Sequence, residues 1–207
     1  MSVMKLSKQD MDPSIRLETA TLEGKNKILG FWLFLAAETV LFSCLFGTYL
    51  ALRTHANGGP TTQELFQLPL VAIATFILLT SSLTSVLGIV AMHKHDVNRC
   101  FNWLFVTVLF GLSFLGLEIY EFAHYIHEGL TMSTSAFGSS FYTLVGTHGS
   151  HVLFGSIWIS FILIQLKSRG LNTDTAPKVY VASLYWHFVD VVWVFIFTLV
   201  YLLGTLE

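Results

Sequence analysis

The sequence predicts an all-α fold, a polytopic membrane bundle of five transmembrane helices, and three observations predict it. Charged residues make up only 12% of the 207 positions, about half the share usual in a soluble domain. Hydrophobic residues make up 54%, with 18 phenylalanines among them. Five apolar runs are each long enough to cross a hydrocarbon core of roughly 30 Å, which takes about 20 residues.

The runs lie at 28–52, 68–92, 101–123, 137–166 and 179–203. They divide the chain into an N-terminal segment, 1–27, and a transmembrane domain, 28–207. Lys, Asp, Arg and Glu are scattered through the N-terminal segment, so it lacks the apolar stretch of a cleaved signal peptide and the first span is expected to be retained. Gly58 and Gly59 before Pro60 read as a loop, not a phosphate cradle. The runs are too long and too continuous for the alternating strands of a β-barrel. The connections are too short to hold a soluble catalytic domain. No fixed-period repeat is visible, which argues against an inverted-repeat transporter.

Orientation follows from the basic residues. Lys5, Lys8, Arg16, Lys25 and Lys27 precede the first span, Lys94 and Arg99 lie in the second loop, and Lys167, Arg169 and Lys178 in the fourth. All fall on one side of the membrane, and Arg53 alone on the other. The positive-inside rule makes the N-terminus cytoplasmic and the C-terminus external. A net charge of −2 gives no reason to expect nucleic acid as a partner. Cys44 and Cys100 fall at different depths and read as isolated thiols.

Ionisable side chains inside a span are costly, about 2.5–3.5 kcal/mol for an Asp, Lys or Arg at a helix centre, and need partners. Glu38 and Asp190 each lie about 15 Å into the membrane at 1.5 Å per residue. His187 is one turn nearer the cytoplasm, and His148 and His151 reach a similar depth from the other side. These five residues predict one polar layer near the midplane, made by three helices. Ser183, His187 and Asp190 share a helix face by spacing. Thr39, Ser43 and Gly47 form a stripe of small residues, as do Thr80, Thr84 and Gly88, with Ser81 and Ser85 alongside. Such stripes allow close helix approach in lipid. An external-end acidic cluster, Glu118 and Glu121 with Tyr125, sits where long side chains reach water by snorkelling.

No catalytic set emerges. His148 and His151 have the spacing of two metal ligands on one face, with His187 as a possible third, but no fixed partner motif or haem-attachment signature accompanies them. Ser150 and His151 are consecutive on one helix and do not face each other as a nucleophile and base would. Read without further comparison, the polar layer either fixes helix packing, carries protons in a stand-alone proton-coupled transporter, or holds a haem.

Four segments resemble one family. Tyr185-Trp186-His187-Phe188-Val189-Asp190-Val191-Val192-Trp193 is similar to the last-helix signature of subunit III of the haem–copper terminal oxidases. Gly146-Thr147-His148-Gly149-Ser150-His151-Val152 resembles that family's segment on the preceding helix. Ala36-Ala37-Glu38-Thr39-Val40-Leu41-Phe42 resembles its intramembrane glutamate segment, and Glu118-Ile119-Tyr120-Glu121 its acidic pair. Longer members have seven helices, two of them standing apart across a lipid-filled cleft. The present chain resembles the five-helix bacterial form, so a lipid site built by the first two helices is not carried over.

The resemblance implies an accessory subunit with no catalytic centre, metal or other cofactor of its own. Haem and copper belong to partner subunits, and the assembled oxidase reduces dioxygen to water and pumps protons. Implied partners are the catalytic subunit I, subunit II, a small subunit IV and bound phospholipid, in a bacterial plasma membrane. The five midplane residues then serve as structural, lipid- or proton-environment groups. The loops and residues 21–27 lean toward cytochrome c oxidases of Gram-positive bacteria, with menaquinol oxidases as the alternative.

Overall fold

The computed structural model describes residues 16–55 and 67–206. Lys5, Lys8 and the Gly58-Gly59-Pro60 loop lie outside the described residues. Five helices long and apolar enough to cross a membrane make up the fold, and no strand occurs among the described residues. They are α1 (Leu22–Leu52), α2 (Leu68–His93), α3 (Val97–His127), α4 (Ala136–Arg169) and α5 (Ala176–Ile196). A π-helical turn, Phe197–Leu202, and a last turn, Leu203–Leu206, prolong α5.

Most helices run beyond the apolar stretches because polar caps start them outside the apolar runs. The Thr21 hydroxyl accepts from the Gly24 amide at 3.0 Å, Asp96 from Arg99 at 3.0 Å and Ser135 from Gly138 at 3.0 Å. These side chains satisfy amides that have no partner within the helix. Pro69 and Pro177 occupy first-turn positions, where the missing N–H matters least. Gly170 ends α4 with φ +66°, and His95 turns the chain between α2 and α3 with φ +56°, a region favourable to glycine.

The helices are not equivalent. The α2–α3 hairpin, α4 and α5 form the body of the bundle, and α1 lies against α4 and α5. Along the membrane-crossing part of α1 only Leu35, Phe42 and Tyr49 are buried. They are spaced by seven residues, a single seam of the kind two crossing helices share. Phe31, Leu45 and Phe46 are partly buried beside it, while Leu29, Leu33 and Val40 are exposed apolar surface.

Indole donors tie α5 to α2. Trp186 Nε1 donates to Ser81 Oγ at 2.9 Å and Trp193 Nε1 to Thr75 Oγ1 at 3.0 Å. Both indoles are buried, where an unmade bond would be expensive. Gly111 on α3 makes room for Trp186: a Cβ there would lie 2.5 Å from the indole.

The two stripes of small residues behave differently. On α2, Thr84 bonds Thr107 of α3 at 2.8 Å, and Gly88 receives Leu104. On α1, Thr39, Ser43 and Gly47 lie on the exposed face, contrary to the expectation of close helix approach. Their hydroxyls turn back to their own helix, Thr39 to the Leu35 carbonyl and Ser43 to that of Thr39. That satisfies them without a neighbour.

Candidate functional site

The expected midplane layer resolves into three groups of contacts. Glu38 of α1 and His151 of α4 meet, with Glu38 Oε2 3.1 Å from His151 Nε2. The other ring nitrogen, Nδ1, lies 2.8 Å from the carbonyl of Thr147. A carbonyl can only accept, so Nδ1 carries a hydrogen. One more proton is then shared between Nε2 and the carboxyl group. The pair is neutral overall whether it is written as imidazolium and carboxylate or as imidazole and acid. Phe42 and Tyr185 flank the ring, and the Tyr185 hydroxyl donates to the His151 carbonyl at 3.1 Å.

His148 is one turn away from His151 and makes a different contact. It is fully buried between Phe114 and Trp193, and its Nε2 donates to the Val189 carbonyl at 3.2 Å. Nδ1 has no hydrogen-bond partner among the described residues. The two histidines of this segment therefore do not converge on a common point. Among the described residues no group of three His, Cys, Asp or Glu side chains is arranged to hold a metal ion. Ser150 and His151 both bond the Thr147 carbonyl of their own helix, at 2.6 and 2.8 Å, so the hydroxyl is not directed at the ring as a nucleophile would be.

On α5, His187 faces α2, its Nδ1 2.7 Å from Ser82 Oγ. Asp190, three residues on, is 7% exposed, and its Oδ1 has no hydrogen-bond partner among the described residues. His187 Nε2 is 3.5 Å from Ser183 Oγ, which in turn lies 2.7 Å from Ser85.

The acidic cluster departs most from expectation. Glu118 and Glu121 are each 5% exposed, and Tyr125 is fully buried, so these groups face the bundle interior and do not snorkel. The reason is local. Glu121 accepts from the hydroxyls of Tyr125 and, at 3.2 Å, Tyr201. Glu118 lies against Gly149 of α4, where a Cβ would come within 2.5 Å of its oxygens. Neither Glu118 oxygen has a hydrogen-bond partner among the described residues.

Residues 17–205 match the family model for cytochrome c oxidase subunit III. The chain belongs to that family. Similar proteins include cytochrome c oxidase subunit 3 of Bacillus sp. (strain PS3), 63% identical over 93% of both chains. The protein of the same name from Bacillus subtilis (strain 168) is 63% identical over 90% of this chain and 91% of its own. Quinol oxidase subunit 3 of Bacillus subtilis (strain 168) is 51% identical over 91% of this chain and 92% of its own. The chain is thus subunit III of a haem–copper terminal oxidase, a multi-pass membrane protein with other oxidase subunits as partners.

Several polar residues of this subunit III carried no clear sequence signal. Ser82 sits among other serines and threonines, and only its place opposite α5 distinguishes it. Tyr201 reaches Glu121 because the π-helical turn at Phe197–Leu202 shifts the phase of the last helix. Glu18 precedes the first span yet is 2% exposed, its Oε1 2.9 Å from His93 Nε2. A carboxylate before an apolar run ordinarily reads as solvated.

Proposed function

We propose that this chain is the non-redox accessory subunit of a proton-pumping oxidase, stabilising the catalytic subunit and holding lipid against its own outer grooves. The family match across residues 17–205 carries the reading. Its intramembrane acids and histidines then serve packing and the local proton environment, while haem and copper reside in partner subunits. The thin coverage of α1 supports a role in assembly. A helix with one buried seam leaves apolar surface for a neighbouring subunit or acyl chains.

A groove of about 390 Å³ beside that seam, lined by Trp32, Leu35, Thr39, Leu184, Phe188 and Val191 among others, has the apolar walls an acyl chain needs. The positive-inside distribution supports a cytoplasmic N-terminus in a bacterial plasma membrane. Subunits I and II and a small subunit IV are the proposed partners, with phospholipid. Cytochrome c is the favoured donor, because identity is 63% to the relative named for cytochrome c oxidase and 51% to that named for quinol oxidase.

Purification in mild detergent tests the reading. The chain should travel with a haem-bearing partner and bound phospholipid. A solitary, haem-free protein that conducts protons in liposomes would replace it with the transporter reading. A Soret band on the isolated chain would show that it binds haem itself.

A further inference from the structure

We propose that the short helical turn Leu17–Thr19 is a lid on one end of the groove along α5, latched shut by Glu18 and His93. The proposal rests on the lipid reading above and adds to it the point of entry.

The groove has α5 as its floor and α1 and α2 as its walls. Its larger part is lined by Trp32, Leu35 and Thr39 of α1 and by Leu184, His187 and Phe188 of α5. A smaller part of about 150 Å³ lies on the α2 side, between Val86 and Ile89 and the α5 residues Tyr180, Ser183, Leu184 and His187. Leu184 and His187 line both, so the two parts adjoin. Helical spacing carries wall and floor up to the lid. His93 lies four residues beyond Ile89 and seven beyond Val86, on the same face of α2. Pro177 lies three residues before Tyr180 and seven before Leu184, on the same face of α5.

The turn closes that end. Leu17 is 4% exposed and Glu18 2%, and the turn packs against α5 and the start of α1. Glu18 Oε1 lies 2.9 Å from His93 Nε2, which ties the chain ahead of α1 to the last residue of α2. Gly24 makes the fit possible: a Cβ there would run into the Glu18 carbonyl oxygen and lie 3.3 Å from Pro177. Neighbouring cations are engaged elsewhere, Lys27 with Glu23, Arg99 with Asp96 and Lys178 with Gln165. A phospholipid whose head group sits at this end of the bundle therefore has the closed turn between it and the groove.

The latch is built to be released. Glu18 Oε2 is buried without a hydrogen-bond partner among the described residues. Opening hydrates the whole carboxyl group, and that gain opposes the loss of the His93 contact. Elements of such low local stability are the ones from which lids are drawn. With the turn lifted, an acyl chain enters lengthwise, past Ile89 and Tyr180 toward Leu184.

Hydrogen exchange read by mass spectrometry on the intact purified oxidase tests the latch. The amides of Thr19 and Ala20 bond Arg16 and Leu17 in the closed turn. In His93→Leu they should exchange about tenfold faster, the loss expected of one hydrogen bond to a charged group. His93→Gln still offers a donor and should recover most of the protection. Should His93→Leu fail to assemble, Leu17→Ala removes the apolar anchor of the turn and should speed exchange likewise.

Photolabelling tests the gate. A phospholipid with a diazirine near the carboxyl end of its acyl chain should label Ile89 and Tyr180 more in these variants than in the parent, in step with the exchange. Unchanged exchange in both His93→Leu and Leu17→Ala would overturn the latch. Faster exchange with unchanged labelling would overturn the gate. A probe with the diazirine at the chain terminus tests the lipid reading apart from the lid. Absence of label on Leu184 and Phe188 in every sample would remove the lipid, and the exchange rates would still decide the latch.

Discussion

Glu38 and Glu118 are both glutamates inside apolar helices, and their surroundings differ in an instructive way. Glu38 is on the least covered helix and is partly exposed, yet it has a partner of matched chemistry in His151. Glu118 is almost fully buried between α3 and α4, yet among the described residues neither of its oxygens has a hydrogen-bond partner. Burial and pairing are therefore independent properties of a carboxyl group here. What places Glu118 is space: Gly149 offers a backbone with no side chain. What places Glu38 is a nitrogen one helix away.

The largest expected effect breaks the Glu118 side of this contrast. Gly149→Val puts carbon where the carboxyl group lies, and overpacking of this kind costs about 1–3 kcal/mol. Loss of the subunit from the purified complex measures it, and a smaller acid at 118, Glu118→Asp, should partly restore retention. Glu38→Leu comes next. It leaves His151 Nε2 without its partner, at about 1–3 kcal/mol, and should lower the thermal midpoint of the complex. Glu38→Gln should lower it less, because the amide offers Nε2 either a donor or an acceptor.

A third change tests the neighbouring acid. Tyr201→Phe removes one of two donors to Glu121 and should cost about 1 kcal/mol, seen as a smaller drop in the same midpoint. Glu118→Gln should be neutral or slightly stabilising, because replacing an unpaired buried carboxyl group forfeits no bond. A drop as large as that of Glu38→Leu would mean that Glu118 has a partner in the assembled oxidase and would dissolve the contrast. Thr39→Val should be the mildest, within about 0.5 kcal/mol. Its hydroxyl serves only its own helix.

Much of the architecture was legible from residue order. The five apolar runs match five helices, and Thr21, Asp96 and Ser135 are capping residues by type and position. The resemblance of the four motifs named the family. Partnership was less legible. His148 and His151 are one turn apart and look like a pair, but one bonds a backbone carbonyl and the other a carboxyl group. Helical spacing gives the direction of a side chain relative to its own axis, not the atom waiting on the next helix. The π-helical turn that delivers Tyr201 to Glu121 is a change of phase that a 3.6-residue period does not contain.

By itself the sequence determined that the chain must live in lipid, how many times it crosses, and which residues would need explaining there. Those follow from local quantities: the length of an apolar run and the expense of a charge within it. Only the tertiary structure decided that the acidic cluster turns inward, that the Thr39 stripe faces outward, and that His187 meets Ser82 of α2. In lipid, burial of apolar surface does not choose which helix faces meet. That choice falls to contacts between distant parts of the chain, such as a glycine opposite a carboxyl group or a serine opposite a ring nitrogen.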